Sequence, residues 1–149
     1  MKVVSDFHIH GRYSRATSKQ LNVPNLVKYA KMKGVGLLGT GDFTHPQWLE
    51  ELKGILKEDG SGIPKDESGF PFILSAEISS IYSDGGKVRR IHNVLLAPSF
   101  DVVDQINEAL RKKGVNLNSD GRPICGIKCP ELVEIVKGVD RSVEVIPAH

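Results

Sequence analysis

Apolar and polar positions recur along the chain with two periods, and the switches between them mark out a succession of short strands and helices. Lys2-Val3-Val4 through Ile9 is short and β-branched, as a first strand is, and the polar stretch Gly11 to Gln20 reads as the loop after it. Pro24 suits a first helical turn. Leu26, Val27, Tyr29, Ala30 and Met32 then give an apolar stripe that stops at Gly34. Val35 to Leu38 predicts a second, buried strand ending in Gly39-Thr40-Gly41-Asp42, and Pro46 opens a second helix over Trp48, Leu49, Leu52, Ile55 and Leu56. Lys57 to Ser68 is charged and Gly-rich with Pro64 inside it, which predicts a surface loop within one domain because apolar patterning resumes at once.

Phe72 to Tyr82 and Val88 to Leu96 read as strands joined by Ser83-Asp84-Gly85-Gly86, a turn whose residues tolerate positive φ, so a hairpin interrupts the alternation. A third helix is expected over Phe100 to Lys112, with Val102, Val103, Ile106 and Leu110 on one face. The polar segment Asn118-Ser119-Asp120-Gly121 precedes a fourth helix near Pro130 to Val136 and a last strand, Val143 to Ile146, before Pro147-Ala148-His149. The order predicts an α/β fold, mostly parallel with one hairpin, and contains no internal repeat.

Composition narrows the class only a little. A chain of 149 residues, 40% hydrophobic and 26% charged, matches one soluble globular domain that buries roughly two-thirds of its unfolded surface. No apolar run approaches the ~20 residues of a bilayer span, and Asp6, His8 and His10 stand where a signal peptide needs an unbroken apolar stretch. The expectation is a cytoplasmic protein with no membrane partner. A net charge of +2 neither demands nor excludes a nucleic-acid partner. Cys125 and Cys129, four residues apart, lack the Cys-x-x-Cys spacing of common zinc and redox motifs and are read as reduced thiols.

The candidate chemistry lies in the histidines and carboxylates. His8 and His10 are two apart on the predicted first strand, so both point to one face and could reach one metal ion, although chance alternation explains an isolated pair as well. Asp42 follows the second strand, Glu77 lies on the third, His92 on the fourth, and His149 ends the last. In β/α barrels such strand-end groups converge on one mouth. Imidazole with carboxylate suits Zn²⁺, Mn²⁺ or Fe²⁺, a carboxylate such as Glu77 can bridge two ions, and a bridged cluster points to phosphoester hydrolysis. Glu77 and Asp42 are therefore the candidate catalytic carboxylates, with Asp42 either a ligand or the partner orienting a ligand histidine, and Asp6 a further orienting partner.

These residues resemble the polymerase and histidinol phosphatase (PHP) family of metal-dependent phosphoesterases. The likeness is carried by Asp6-Phe7-His8-Ile9-His10 with Tyr13-Ser14, Gly39-Thr40-Gly41-Asp42, Ala76-Glu77-Ile78-Ser79, Ile91-His92-Asn93-Val94-Leu95 and Pro147-Ala148-His149, in that order. It implies a distorted seven-stranded, TIM-like β/α barrel with two or three divalent ions, zinc first and Mn²⁺ or Mg²⁺ as alternatives. Its ligands here would be His8, His10, Glu77, His92 and His149. Within the family, the runs Tyr13 to Lys19, Gly39 to Pro46 and Asn118 to Pro123 are similar to the endonuclease Q group, which implies nicking of DNA 5′ to deaminated or abasic nucleotides, a flipped base and a basic groove. Two departures stand out. Phe43 occupies the place of the family's histidine after the aspartate, with His45 two residues on, and no closing Asp-x-His follows His149. The resemblance thus implies that residues 1–149 are the N-terminal part of a PHP domain, with the barrel incomplete and the isolated fragment inactive or prone to aggregate.

Basic and hydroxyl groups flank the proposed centre. Arg12, Ser14, Arg15, Ser18 and Lys19 follow the His-x-His, and Lys87, Arg89 and Arg90 precede His92, where a phosphate backbone would lie; solvated faces and turn caps are the plainer explanations. Trp48 is read as core or groove packing, and His45 as a helix cap in preference to a substitute ligand. The leading expectation is a DNA repair endonuclease acting through a metal-activated water. A histidinol-phosphate-like small-molecule phosphatase and a catalytically incomplete nucleic-acid-binding fragment stay open beside it.

Overall fold

In the computed structural model, which describes residues 1–149, the elements run β1 (Ser5–Asp6), α1 (Val23–Met32), β2 (Leu37–Gly39), α2 (Pro46–Ile55), β3 (Phe72–Asp84), β4 (Lys87–Ala97), α3 (Phe100–Lys112), β5 (Ile124–Cys125), α4 (Cys129–Val139) and β6 (Glu144–Pro147). All four helices stand where the periodicity puts them. Local chemistry starts them: the Asn22 side chain accepts the Asn25 N–H ahead of α1, and Ser99 accepts the Val102 N–H ahead of α3. No helix is long and apolar enough to cross a membrane.

The expected partial barrel appears as a curled half-barrel sheet, neither seven-stranded nor mostly parallel. Six strands make one curled sheet in the order β1-β2-β3-β4-β6, with β5 also pairing β3. The parallel pairings β1·β2, β2·β3 and β3·β5 each register only two residue pairs, whereas the antiparallel β3·β4 ladder runs unbroken from Leu74↔Ala97 to Asp84↔Lys87. β6 adds a second antiparallel pairing to β4. The cause is the hairpin turn, where Gly85 and Gly86 both take positive φ, 57° and 73°, and allow strands of 13 and 11 residues to zip along their full length. The first strand is shorter than the sequence suggests, because only β2 is hydrogen-bonded to it and the chain leaves the ladder after Asp6.

β3 is the organising strand. Leu74, Ala76 and Ile78 point to one side and pack with Leu95, Val103, Ile106 and Leu110 in the core beneath the helices. Ser75, Glu77 and Ser79 alternate to the other side and are equally buried. Along one edge, β2 pairs with Phe72 and Ile73 and β5 with Ser79 and Ser80, which leaves the stretch between for the turn Gly39–Phe43. The Thr40 N–H bonds the Ile73 carbonyl and the Phe43 N–H the Ser75 carbonyl, so this turn is seated beside Glu77.

Candidate metal centre

Glu77 sits at 2% exposure at the middle of β3, and four imidazoles meet its two oxygens. His8 Nε2 lies 2.8 Å and His10 Nε2 3.0 Å from Oε2; His92 Nδ1 lies 2.5 Å and His149 Nε2 3.7 Å from Oε1. The donor atoms form two triads, His8–His10–Glu77 and Glu77–His92–His149, each within 4.8 Å. His92 reaches Glu77 because it pairs directly with Ser79, which places it on the same sheet face as Glu77 one diagonal away. His149 comes alongside because the His92 N–H donates to the His149 carbonyl and the Ala148 N–H to the His92 carbonyl.

The pairing of His8 with His10 has a different origin from the one expected. Neither is on a strand; both belong to the segment that follows β1, with ring centroids 5.6 Å apart at 73°. Their placement comes from the turn after β2. Gly41 and Asp42 both adopt left-handed backbone, φ 64° and 50°, a strained conformation for Asp that its surroundings must hold in place. That turn drives the fully buried Asp42 carboxylate under the His8–Ser14 loop, where it meets His10 Nδ1 at 2.9 Å and accepts the Gly11 N–H at 2.6 Å and the Ser14 hydroxyl at 2.8 Å. With Nδ1 held by Asp42, His10 presents Nε2 to the centre.

Asp6, expected to orient a ligand ring, accepts only the His8 backbone N–H at 3.2 Å, because it is exposed on the edge strand and faces no imidazole. Asp42 holds that place instead, and its oxygens are taken up by positioning contacts. Phe43 is fully buried, and Asn107 Nδ2 donates to its carbonyl at 3.0 Å. His45 stands at the start of α2 but makes no side-chain cap; its ring stacks on Tyr13 at 4.6 Å, and burial lowers its pKa. Trp48 is core, as expected.

The basic residues divide. Arg12 is bound to Glu51 at 2.5 Å and Arg15 to Asp120 at 3.4 Å, while Ser14 is committed to Asp42 and Ser18 accepts the Gln20 N–H. Lys19, Arg89 and Arg90 are exposed. Strand alternation separates the last two: Arg90 shares the face of His92 and Arg89 the opposite one. The sequence reading missed Arg122, whose Nη1 lies 3.9 Å from Glu77 Oε2. Its only signal was membership of the run Asn118 to Pro123, since it comes from a loop remote in sequence from every histidine. Cys125 and Cys129 are free thiols.

The donor set fits divalent metal. Two nitrogens on each oxygen of one buried carboxylate is the arrangement of a bridging ligand between two nitrogen-rich positions, and a hydrogen bond to His10 Nδ1 is the usual support of a metal-bound imidazole. Without metal the same groups hold protons. Hydrogen bonds to Asp42 and Glu77 raise the His10 pKa from 6.5 to about 9. Burial works against ionisation of Glu77, but hydrogen bonds from His10, His8 and His92 outweigh it and keep the carboxyl well below the usual carboxylate range. The raised His10 pKa stabilises the metal-free fold below pH 6.5 and that contribution is lost as pH rises through about 9; the depressed Glu77 pKa stabilises it above 4.5 and fails in acid. Thermal melts in chelator are therefore expected to show Tm falling between pH 6.5 and 9. Melts with Zn²⁺ should lose that fall, since ligation requires neutral imidazoles. A Tm that climbs over this range in chelator would contradict the proposed pairing.

No family model matches the chain. An uncharacterized protein of Methanocaldococcus jannaschii is 39% identical over 144 residues, covering 97% of this chain and 16% of the relative. Among solved structures, the chain is similar to lesion-specific DNA endonucleases. One is PfuEndoQ from Pyrococcus furiosus, with a TM-score of 0.84 at 33% identity over 99% of this chain. Another is endonuclease Q in complex with a 27-mer duplex substrate bearing an abasic lesion at the active site, with a TM-score of 0.82 at 32% identity over 96%. The chain is thus endonuclease Q-like along nearly its whole length, and it spans 34% of each of those neighbours.

Proposed function

We propose that residues 1–149 form the N-terminal part of a PHP-type catalytic domain that hydrolyses the DNA phosphodiester 5′ to deaminated or abasic nucleotides. The observation that carries the reading is the sharing of buried Glu77 between two histidine pairs, on a fold like that of endonuclease Q. His8 and His10 would hold one divalent ion and His92 and His149 another, Zn²⁺ or Mn²⁺ by donor type, with Glu77 between them. Such a pair supplies Lewis acidity that activates water at neutral pH and offsets phosphate charge. The chain's own residues do the rest. Asp42 fixes the His10 ring, and Arg90, which shares the His92 face of the β3–β4 hairpin, would meet the backbone of a duplex entering from that side. The abasic duplex bound by one neighbour supports damaged DNA as the substrate class.

The test is incision of end-labelled duplexes carrying an abasic site, deoxyinosine or uracil by the full natural chain that contains these residues, with Mn²⁺, Zn²⁺ or Mg²⁺. The expected result is a metal-dependent nick on the 5′ side of the lesion and an intact undamaged duplex. Hydrolysis of histidinol phosphate with no nicking would turn the reading to the small-molecule phosphatase, and lesion binding without incision to a non-catalytic module.

A further inference from the structure

We infer that Arg122 binds the substrate phosphate at the candidate centre, an inference that rests on the phosphoesterase reading above. Of the arginines on the loops beside the centre, two are already paired, Arg12 with Glu51 and Arg15 with Asp120. Arg122 is different. Its side chain is about one-third exposed, and its one ion-pair partner is Glu77 Oε2 at 3.9 Å, beyond hydrogen-bond reach. The Glu77 oxygens are already surrounded by imidazoles, so they have no room to take the guanidinium fork. A planar donor fork with no acceptor, at the mouth of a metal-ligating cluster, is complementary to a tetrahedral oxyanion held there.

The backbone that carries it is fixed on every side. The Gly121 N–H donates to the Tyr13 carbonyl at 3.1 Å, and the Thr44 hydroxyl donates to the Gly121 carbonyl at 3.3 Å. The Arg122 N–H donates to Asp120 Oδ1 at 3.0 Å, and the Ser79 N–H donates to the Pro123 carbonyl at 2.9 Å. Gly121 leaves no space for a side chain, since a Cβ there would lie 2.6 Å from Asp42 Oδ2 and 2.5 Å from Ser14 Oγ. The loop therefore joins the Asp42 turn, the Tyr13 loop and β3 at one point. The backbone at Arg122 is thus held beside the centre by the residues that shape it, so that only the side-chain torsions remain to be ordered when an anion arrives. A guanidinium so placed contacts a non-bridging oxygen and gains strength as charge builds there in the transition state.

Inorganic phosphate is the probe. Its binding to the metal-loaded full chain, followed by calorimetry, is expected to weaken on the order of tenfold or more in Arg122→Ala. Arg122→Lys should fall between, keeping charge but losing the fork. Arg111→Ala, which removes the same charge from the exposed end of α3, should match wild type. Metal equivalents per chain should be unchanged in all three. Unaltered phosphate affinity in Arg122→Ala, with wild type binding phosphate, overturns the inference and leaves the phosphoesterase reading standing. Loss of metal in step with loss of phosphate also overturns it, because Arg122 would then serve Glu77. A wild-type chain that holds metal yet binds no phosphate overturns both.

Discussion

Glu77→Gln is expected to empty the candidate centre of metal and to abolish incision while leaving the fold intact. Glutamine has the same shape, so the buried site on β3 is neither cavitated nor overfilled. What disappears is the negative charge shared by His8, His10, His92 and His149. A neutral amide carries one oxygen in place of two and cannot bridge. The loss of metal affinity should exceed the ~10–100-fold that changes to outer, ligand-orienting residues cost, because in the proposed centre this residue would contact both ions. Metal content measured on gel-filtered protein should fall in both positions together, and Zn²⁺ should no longer raise the Tm of the variant. Loss of one ion with retention of the other would show that Glu77 belongs to a single triad. Full retention of both would remove the basis of the bridged centre.

Much of this centre was legible in the sequence, and the reasons separate the legible part from the rest. Long, strongly periodic elements were readable because burial of one face dictates the residue types. α3 begins and ends where Val102, Val103, Ile106 and Leu110 predict, and the β3–β4 hairpin lies where Gly85 and Gly86 permit a two-residue turn. The five ligand candidates were likewise readable, since histidine and glutamate carry a chemical signature of their own, although only Glu77 and His92 prove to be strand-borne and His8, His10 and His149 lie just beyond strand ends. The balance of parallel and antiparallel pairing was not readable. It depends on which neighbour each strand meets, and local alternation is the same in both cases. β5 escaped notice because two residues, Ile124 and Cys125, have no periodicity to detect. Arg122 escaped for a related reason: the placement of its loop depends on hydrogen bonds with Tyr13, Thr44 and Ser79, and nothing in the residues beside it reports those long-range contacts. Asp6 looked like the natural orienting acid by proximity in sequence, yet the acid that orients His10 is 32 positions away from it.

Trp48 shows how the helical layer and the centre depend on one another, and substitutions there should separate packing from positioning. It is fully buried on α2, and its indole N–H donates to the Gly41 carbonyl at 2.9 Å and the Thr40 carbonyl at 3.2 Å. Its ring lies against Gly11, where a Cβ would stand 2.8 Å from Trp48 Cε2. One side chain thus supports both the left-handed turn that carries Asp42 and the loop that carries His10. Trp48→Ala is expected to cost about 3–5 kcal/mol of stability, read as a lower urea midpoint, because a cavity that large beneath two loops does not close. Trp48→Phe fills most of the volume but leaves two buried carbonyls without a donor, so the expected cost is about 1–3 kcal/mol. The informative comparison is with Leu110→Ala on α3, which is fully buried and has an apolar side chain that hydrogen-bonds to neither loop. At matched loss of stability, Trp48→Phe should lower metal affinity and Leu110→Ala should not, since only the first releases the strained Gly41–Asp42 turn from the contact that holds it. Equal metal affinity in the two variants would mean that the turn keeps its shape without the indole, and that Asp42 is positioned by the Gly11 and Ser14 hydrogen bonds alone.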